Sequence, residues 1–359
     1  RRMNERVGAE TGFRTVGVIY MEETQKGLAA RERWLEHARP YQLDSKILTR
    51  SELETLVPGA GQRHIGALYT ASDGRAEPTR AAPALATAAR GKGATILQDC
   101  AARGLELEGG RVAAVVTEKG RIRCKAAILA GGAWSSLFLR NLGLKLPQLK
   151  TRSSVLRTEP MDGPEHNASG PGWGLRKRLD GGYTVAHGDW TVPEVVPDSF
   201  RWFFDFLPLL RAERKAIKLR FSGEFFREWR ESKRWRLDQK TPFEVVRTLD
   251  PAPLDWVLDD AVKNLQRAFP AFANLKVAEK WAGMIDTTPD VVPVIGPVQK
   301  IPGLVVATGF SGHGFGIGPA GGQLAADLAT GAPPLVDPGP FRFERFSDGT
   351  RPVPYGAPG

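Results

Sequence analysis

Cysteine and long apolar runs are both scarce in this sequence. Its 359 residues include two cysteines, Cys100 and Cys124, and neither belongs to a metal-ligand spacing or to a disulfide pattern. No apolar run approaches the roughly 20 residues that span a bilayer, and the first residues, RRMNERVGAETG, lack the apolar core of a signal peptide. We therefore expect a soluble cytoplasmic protein without a metal site.

Charge is plentiful and unevenly distributed, with a formal net charge of +10. Residues 199–240, which we call the arm, contribute 12 basic, 6 acidic and 10 aromatic residues. The arm carries neither an RNA-binding signature nor a zinc-finger spacing, so we expect no nucleic acid partner. Its pattern leaves two interpretations open: an amphipathic helical arm with a solvated basic face, or a surface that docks on a partner subunit or a membrane.

The first third of the chain alternates strand and helix signals. Residues 15–23 predict an apolar strand, and residues 26–38 predict a polar helix. Ser51 followed by Glu54 has the spacing of a capping box, which predicts a helix start at Ser51. A further helix is predicted over residues 80–94, and the length of the chain allows one large or two interleaved domains.

A β-rich series follows this helix. Residues 94–100 predict a strand, and turns at residues 109–110 and 119–120 join three more strands into a meander. The segment KAAILAGGAW, residues 125–134, predicts a buried strand that runs into a glycine turn. Such a turn puts bare backbone at the carboxyl edge of a sheet, where ligands bind in open α/β folds.

The stretch TGFSGHGFGIGPAGGQLAADL, from Thr308 to Leu328, places seven glycines around one histidine ahead of a run of good helix formers. Glycine is favoured where the backbone must reach positive φ or where a ligand approaches too closely for a Cβ. We predict that Pro319 opens the helix. The amides of Gly316 to Gly318 would then lie at its start, where unpaired donors attract an electron-rich group. An ordinary glycine-rich turn is the alternative.

Four features in this order, the meander, AILAGGAWS, WAGMIDTTPDVVPVIGP and VATGFSGHGFGIGPAGGQLAADL, resemble the D-amino-acid oxidase superfamily of FAD-dependent oxidoreductases. The nearest resemblance is to the D-amino-acid dehydrogenase, opine oxidase and sarcosine or dimethylglycine oxidising branch. The resemblance covers nearly the whole chain. It implies an α/β fold of mixed α+β character, in which a Rossmann-like FAD-binding domain is interleaved with an antiparallel-sheet substrate domain.

The resemblance also implies how the chain divides between the two domains. Residues 1–75 would belong mainly to the substrate domain, and residues 76–150, with the meander, to the FAD-binding domain. Residues 151–280, which include the arm, would return to the substrate domain. Residues 281–331 would complete the FAD-binding domain, and residues 332–359 would form a tail rich in proline and glycine.

One departure from the family pattern is large. Family members open with a strand, a GxGxxG turn and a helix that hold the FAD pyrophosphate. No GxGxxG precedes the meander here. We expect that about 70 residues of the family's N-terminus are missing, given a βαβ unit of about 30 residues plus its extension. Either the sequence is a fragment, or it is a subunit without its own pyrophosphate cradle, which would bind FAD poorly.

The resemblance assigns the cofactor contacts by segment. Ala102 would pass the adenine, Gly131 to Trp134 would approach the dinucleotide, and the loop around His313 would contact the isoalloxazine. Helix amides there would stabilise the negative charge of the reduced flavin. FAD should be non-covalent, because no cysteine lies near WAGMIDTTPD. The expected cofactor-binding residues are Ala102, Gly131, Gly132, Ala133, Trp134, Gly283, Gly309, Phe310, Ser311, Gly312, His313, Gly314, Phe315, Gly316, Ile317 and Gly318.

On the substrate side, the family's amino-acid oxidases bind the carboxylate through an arginine in a GLRP-like segment. This chain has Gly-Met-Ile-Asp there, residues 283–286, and Arg157 or Arg75 could replace the arginine. The expected catalytic residues are His313 and Tyr183. His313 packing on the flavin, and Tyr183 as an ordinary polar residue of a sheet, are the alternatives. The expected substrate-binding residues are Arg157, His187, Trp281 and Met284.

The function implied is oxidation of a C–N bond by hydride transfer to FAD, giving an imine that hydrolyses in water. The substrate would be a D-amino acid, an opine, hydroxyproline or an N-methyl amine. The electron acceptor would be oxygen, a quinone or a partner flavoprotein, and the arm offers peripheral membrane attachment. The alternative is a non-catalytic or incompletely catalytic subunit of a hetero-oligomer, which the missing dinucleotide turn favours.

Overall fold

The computed structural model describes residues 2–350, 353 and 354. The strands, in chain order, are β1 (Arg14–Thr15), β2 (Val18–Glu22), β3 (Ser45–Thr49), β4 (Gly66–Thr70), β5 (Gly74–Arg75), β6 (Ala102–Glu108), β7 (Arg111–Thr117), β8 (Gly120–Arg123), β9 (Ala127–Leu129), β10 (Leu149–Thr158), β11 (Asn167–Gly170), β12 (Trp173–Lys177), β13 (Tyr183–Ala186), β14 (Val192–Pro193), β15 (Val277–Thr287), β16 (Val294–Pro297) and β17 (Leu304–Thr308).

The α-helices are α1 (Arg2–Val7), α2 (Gln25–Ala38), α3 (Arg50–Leu56), α4 (Pro78–Gly91), α5 (Ser135–Asn141), α6 (Pro197–Arg201), α7 (Phe203–Ala212), α8 (Glu224–Arg230), α9 (Pro242–Val245), α10 (Asp255–Ala268) and α11 (Gly314–Thr330). Among these helices of the described residues, none combines the length and apolar character needed to cross a bilayer.

The first of two compact units comprises Arg1–Ile96, Ser154–Trp190 and Ala252–Ala282. Its main sheet includes the strand order β10-β13-β12-β11-β2-β4-β3, in which residues 155–157 of β10 pair with β13 in antiparallel register. Strands β11 and β2 are parallel, and the other neighbours are antiparallel. The strand and helix predicted at residues 15–23 and 26–38 are confirmed as β2 and α2.

Helix α10 supplies one layer of this unit's core. Leu258, Ala261 and Leu265 are fully buried and lie at the i, i+3, i+7 spacing that puts apolar side chains on one helix face. They belong to one apolar cluster with Trp173 and Tyr183 of the sheet. The amphipathic pattern of α10 therefore decides which face of this sheet is covered.

The N-cap of helix α3 lies two residues earlier than predicted, at Thr49 instead of Ser51. Thr49 Oγ1 accepts the Glu52 N–H at 3.3 Å, and Glu52 Oε2 accepts the Thr49 N–H at 2.8 Å. The capping box is therefore Thr49 with Glu52, and the prediction of Ser51 with Glu54 was wrong. Both pairs have the required spacing, but β3 ends at Thr49, and Glu54 instead accepts the N–H of Gly59 at 2.7 Å.

The second unit comprises Leu97–Ser153, Thr191–Pro251 and Gly283–Gly359. Strands β6, β7 and β8 form the predicted antiparallel meander. A separate sheet has the order β16-β17-β9, in which β17 pairs with β9 in parallel and with β16 in antiparallel register. Helix α11 buries Leu324 and Ala325 against apolar side chains of β16 and β17.

Two strand predictions in this unit need correction. Residues 94–100 form no regular strand, and the meander begins at Ala102. Asp99 has a φ of 49°, a left-handed conformation that a continuous strand does not contain. The strand predicted to be buried within residues 125–134 is β9, only three residues long, and Ile128 at its centre is 44% exposed.

The arm is not one helix. It contains the end of α6, then α7 and α8, and Pro208 lies inside α7. The buried Glu194 carboxylate anchors the arm, because it lies 2.7 Å from Arg220 and 2.8 Å from Arg152. Six aromatic side chains of the arm are 45–82% exposed and form what we call the aromatic face: Phe200, Phe203, Phe204, Phe221, Phe226 and Trp229.

The two units divide the chain differently from the expected domains. The first boundary follows Ile96 instead of residue 75, and the arm groups with the meander instead of with the segment expected for the substrate domain. The assignment of substrate and cofactor roles to these segments stays a prediction.

Candidate functional site

Two glycine turns meet at one edge of the β16-β17-β9 sheet. Strands β9 and β17 pair in parallel, with Leu304 opposite Ala127 and Val306 opposite Leu129, so their carboxyl ends lie side by side. One strand continues into Gly131 and the other into the turn after Thr308. A parallel sheet edge of this kind is where ligands bind in open α/β folds.

A single carboxylate ties these turns together. Asp286 Oδ2 accepts hydrogen bonds from the Gly309 amide at 2.6 Å, from Thr308 Oγ1 at 2.9 Å and from Gln148 Nε2 at 3.3 Å. Gln148 Nε2 also donates to the carbonyl oxygen of Gly132 at 3.2 Å. The end of β15, the end of β17 and the turn after β9 are therefore joined through one hydrogen-bond network.

The turn from Gly309 to Gly312 is left-handed at three of its four residues. The φ angles of Gly309, Ser311 and Gly312 are 72°, 51° and 88°. Ser311 adopts an angle that non-glycine residues rarely adopt, and its N–H donates to the carbonyl oxygen of Asp286 at 3.0 Å. A Cβ at Gly309 would lie 2.5 Å from Thr288 Cγ2, so this position requires glycine for both reasons.

Helix α11 begins at Gly314, with His313 as its N-cap. The prediction that Pro319 opens the helix was wrong, because Pro319 lies inside it. The donors without an intrahelical acceptor are therefore the amides of residues 314–316, not those of residues 316–318. These amides and the positive end of the helix dipole form the start of a 17-residue helix.

Protein packing does not explain all the glycines of this helix. A Cβ at Gly316 or at Gly318 would meet no atom of the described residues within 4 Å, and neither φ is in the left-handed range. Glycine inside a helix costs about 1 kcal/mol relative to alanine. Phe315 precedes Gly316, and Ile317 lies between the two glycines. Their side chains are 53% and 43% exposed. A surface that is apolar, backbone-rich and open suits a flat ligand laid against it.

A cavity of about 420 Å³ lies in the same unit. Gly131 and Trp134 line it from the turn after β9, and residues 99–102 line it from the segment before the meander. It falls within the range of 300–1,000 Å³ that is usual for small-molecule sites. The predicted cofactor-binding residues Ala102, Gly131 and Trp134 are thus brought to one cavity.

Tyr183 does not suit the catalytic role that we predicted. Its side chain is fully buried in the core of the first unit, where its ring lies 5.0 Å from that of Phe272. Its hydroxyl donates to the carbonyl oxygen of Pro164 at 3.0 Å, and burial raises the pKa of this hydroxyl. Alternating burial along β13 places Tyr183 and Val185 on the core side. We withdraw this residue from the catalytic set.

His187 is also engaged within the protein. Its Nδ1 accepts the N–H groups of Asp189 at 3.2 Å and Trp190 at 3.1 Å, so Nε2 carries the proton and faces Asp260 Oδ2 at 3.1 Å. The ring stacks on Trp190 with centroids 4.0 Å apart. These contacts fix the ring in the wall of a second cavity of about 250 Å³, within the first unit.

The candidate carboxylate anchors are ion-paired. Arg157 Nε lies 2.7 Å from Glu279 Oε2, and Arg75 lies 3.6 Å from Glu165 Oε2 while donating to the Glu165 carbonyl oxygen at 2.5 Å. Each guanidinium already has a carboxylate partner, so neither is a preformed anchor for a substrate carboxylate. Their substrate-binding role stays a prediction.

Trp281 and Met284 are both half-buried on β15. Side chains alternate along a strand, so residues three apart point to opposite faces. Met284 shares its face with Asp286, and Trp281 does not. Their substrate-binding roles stay predictions. His313 is exposed, and its side chain makes no capping hydrogen bond within the described part of the chain.

Comparison with known proteins identifies the family. Residues 1–328 match the DAO family of FAD-dependent oxidoreductases, so the chain belongs to that family. A glycine oxidase from Pseudomonas aeruginosa is 25% identical over 349 residues, which are 95% of this chain and 78% of that protein. Mouse sarcosine dehydrogenase is 22% identical, and this chain spans 34% of its length. Sarcosine dehydrogenase belongs to the branch that the motifs resembled, whereas glycine oxidase lies outside it.

Solved structures give a second comparison. The L-amino acid deaminase from Proteus vulgaris has a TM-score of 0.91 and 31% identity, over 96% of this chain and 82% of that one. The enzyme from Proteus myxofaciens, in complex with anthranilate, has a TM-score of 0.91 and 34% identity, over 96% and 78% of the chains. The predicted mixed α/β fold class is thereby confirmed. A P. vulgaris deaminase without its specific insertion sequence scores 0.72 at 27% identity, over 96% and 76%.

FAD is the cofactor of this family, and the residues present fit two parts of it. The open helix start at residues 314–316 offers amides to a flat, electron-rich ring, and the 420 Å³ cavity beside Gly131 accommodates a nucleotide base. No GxGxxG turn that could hold the pyrophosphate precedes the meander in the sequence. The residues that would hold FAD are therefore those around the two glycine turns and the cavity.

Proposed function

We propose that the chain oxidises the C–N bond of an α-amino acid or N-substituted amino acid, with FAD as the hydride acceptor. The observation that carries this proposal is the glycine-built first turn of α11. Gly316 and Gly318 are required neither by backbone conformation nor by packing among the described residues, and they lie at a helix start. A ring that gains negative charge on reduction is stabilised at such a position.

Bound FAD would accept a hydride from the carbon next to the amine nitrogen, and the imine product would hydrolyse in water. The protein's own contribution is placement. Asp286 fixes the turn before α11, and the amides of residues 314–316 present donors in a fixed direction. Phe315 and Ile317 would exclude water from the ring they adjoin, which strengthens electrostatic interactions there.

The substrate class follows from what the relatives share. Glycine oxidase and sarcosine dehydrogenase act, by their names, on small amino acids, and the two structural neighbours are L-amino acid deaminases. The common chemistry is a carbon that carries both an amine and a carboxylate. We therefore extend the expected substrates from D-amino acids and N-methyl amines to L-amino acids.

A substrate panel tests the proposal. The purified flavoprotein would be supplied with an artificial electron acceptor and with glycine, sarcosine, proline and paired L- and D-amino acids. The expected products are a 2-oxo acid from an α-amino acid, which is glyoxylate for glycine, and from sarcosine either glyoxylate with methylamine or formaldehyde with glycine. Turnover of simple amines without a carboxylate, and of no amino acid, would contradict the proposal.

We also infer that the arm attaches the protein to an anionic membrane surface. Within the aromatic face, Phe204 is 82% exposed and Phe221 is 79% exposed. Monomeric soluble proteins rarely expose so many large apolar side chains in one patch, and such patches mark interaction sites. Twelve basic residues of the arm would favour anionic lipids. A membrane quinone would then be the natural electron acceptor.

Vesicle sedimentation tests this attachment. Phe204→Ser with Phe221→Ser should reduce binding to phosphatidylglycerol vesicles while leaving turnover with a soluble acceptor unchanged. Tyr41→Ser is the matched control, because Tyr41 is 78% exposed and lies outside the arm. Equal binding of all variants, or no binding of the wild type, would contradict the inference.

A further inference from the structure

The segment after the aromatic face turns back onto the meander. We call residues 235–248 the strap. Trp235 N–H donates to Asn141 Oδ1 at 3.0 Å, and Trp235 Nε1 donates to the carbonyl oxygen of Arg103 at 2.7 Å. The strap thus contacts two elements that precede it in the sequence by about a hundred residues. It lies in the segment that joins β14 to α10, far from the glycine turns in sequence.

Two carboxylate–guanidinium pairs hold the strap in place. Glu244 pairs with Arg103 through two contacts of 3.0 Å, and Arg247 pairs with Glu118 through two contacts of 2.7 Å. Such bidentate pairs fix geometry as well as charge. Arg103 lies on β6 and Glu118 lies in the turn between β7 and β8, so both pairs connect the strap to the meander.

The strap supplies part of the wall of the 420 Å³ cavity. Phe243, Arg247 and Thr248 line the cavity together with residues 99–102. The Glu118 carboxylate joins the strap to that segment, because Glu118 Oε1 accepts the Ala101 N–H at 2.6 Å as well as the Arg247 guanidinium. Loss of the Arg247 pair would therefore loosen both the strap and the segment that lines the cavity with it.

An aromatic cluster also connects the strap to the wall of the cavity. The Phe243 ring lies 5.5 Å from the ring of Trp134 and 5.4 Å from that of Trp235, both in edge-to-face geometry. Trp134 and Phe243 both line the cavity. Edge-to-face aromatic pairs contribute about 0.5–1.5 kcal/mol beyond their buried area. Phe243 therefore links the strap to the turn after β9.

We propose that the strap is a wall and latch of the cofactor site, which retains the adenine end of FAD in this cavity. This proposal rests on the proposed function, because it takes FAD to be the ligand. Phe243 offers an apolar surface to the base, and the Arg247–Glu118 pair closes the wall. Release of FAD then requires the strap to lift from the meander, so weakening the latch raises the dissociation rate.

The dissociation rate of FAD from the full-chain holoprotein tests the latch. Release is followed by the rise in FAD fluorescence after dilution, which needs no turnover. Arg247→Gln should accelerate release about fivefold, because this variant loses the bidentate pair that holds the strap to the meander. Arg247→Lys, which keeps the charge without the bidentate geometry, should fall between this variant and the wild type. Phe243→Ala should also release FAD faster.

Arg236→Gln is the matched control. Arg236 also belongs to the strap and pairs with Asp238 at 2.8 Å, but both side chains are mostly exposed and neither lines the cavity. This variant should release FAD at the wild-type rate. A wild type that retains FAD while Arg247→Gln and Phe243→Ala release it no faster overturns the latch alone. A wild type that takes up no FAD overturns the proposed function and the latch together.

Discussion

Asp286 Oδ2 lies 2.6 Å from the backbone nitrogen of Gly309 and accepts its hydrogen bond. This contact joins the end of β15 to the first residue after β17. The same oxygen accepts the Thr308 hydroxyl, and Gln148 extends the network to Gly132. One carboxylate therefore determines how the two glycine turns face each other, and the geometry of the candidate cofactor site depends on it.

Removal of this carboxylate should weaken the site. Asp286→Ala leaves the Gly309 amide and the Thr308 hydroxyl without their acceptor, so we expect about 2 kcal/mol lower stability and about tenfold weaker FAD binding. Asp286→Asn keeps an acceptor oxygen and should have a smaller effect. Asp259→Ala, at an exposed position of α10, is the control. Fluorescence titration with FAD and thermal melting measure both effects, and unchanged FAD affinity in Asp286→Ala would contradict this role.

A side chain at Gly316 should interfere with the flavin without disturbing the helix. Gly316→Asp meets no atom of the described residues within 4 Å, but its carboxylate would lie beside the ring and oppose the negative charge of the reduced form. We expect loss of flavin or of its reduction, with an unchanged circular dichroism spectrum.

Gly322→Asp is the control for this substitution. Gly322 is exposed in the same helix, with equally open surroundings among the described residues and no left-handed φ. Gly331, the C-cap of α11, would not serve as a control. Its φ of 74° lies in the left-handed range, so any side chain there would destabilise the backbone. Equal flavin-to-protein absorbance ratios and equal reduction in Gly316→Asp and Gly322→Asp would remove the main support for a flavin-facing helix start.

FAD should be extractable from the protein. The segment from residue 283 to residue 330, which holds the helix start and the glycine turn, contains no cysteine to form a covalent link. Acid precipitation should therefore leave the yellow colour in the supernatant. Colour that stays in the pellet would show a covalent cofactor.

We expect the two ion pairs that hold the strap on the meander to weaken at acidic pH. The Arg247 guanidinium lowers the pKa of Glu118 to about 2, and the Arg103 guanidinium lowers that of Glu244. Because these pKa values are depressed, the stabilisation is complete above the ordinary glutamate pKa of about 4.5 and is lost as the pH falls towards 2. Lys119 lowers the pKa of Glu118 further, while Asp99 and Asp238 are other acidic groups near the two arginines.

The rates of FAD release from the wild type and from Arg247→Gln, measured over a pH series, test this dependence. At pH 7, Arg247→Gln should release FAD faster than the wild type, and the difference should shrink between pH 4.5 and 2 as Glu118 takes up a proton. A difference in release rate that persists unchanged at pH 2.5 would indicate that Arg247 does not act through Glu118.

Local patterns predicted the elements whose signals are short-range. The meander was predictable because its turns fall on glycine-containing pairs between apolar runs, and β17 because residues 304–308 are an apolar run next to a glycine. The start of α11 was not predictable from local patterns, because glycine opposes helix formation locally. Packing of Leu324 and Ala325 on the sheet stabilises the helix as a whole, and its first turn extends back to Gly314.

Local sequence patterns could not predict the hydrogen-bond network around Asp286, for a different reason. Gln148 and Asp286 are 138 residues apart, and Gln148 and Thr308 are 160 apart, so no spacing in the sequence links them. The only available signal was a carboxylate directly before the TTPD segment. Tyr183, in contrast, could have been recognised as a core residue, because its place in the alternating pattern of β13 matches that of Val185.

The central claim is that this chain binds FAD and passes hydride from an amino acid to it. The most direct measurement is anaerobic mixing of the FAD-loaded protein with single amino acids, followed by the flavin absorbance near its visible maximum. The account predicts bleaching by at least one α-amino acid and no bleaching by the corresponding 2-hydroxy acid, which lacks the C–N bond. A protein that holds FAD but is bleached by no amino acid, or equally well by the hydroxy acid, would contradict it.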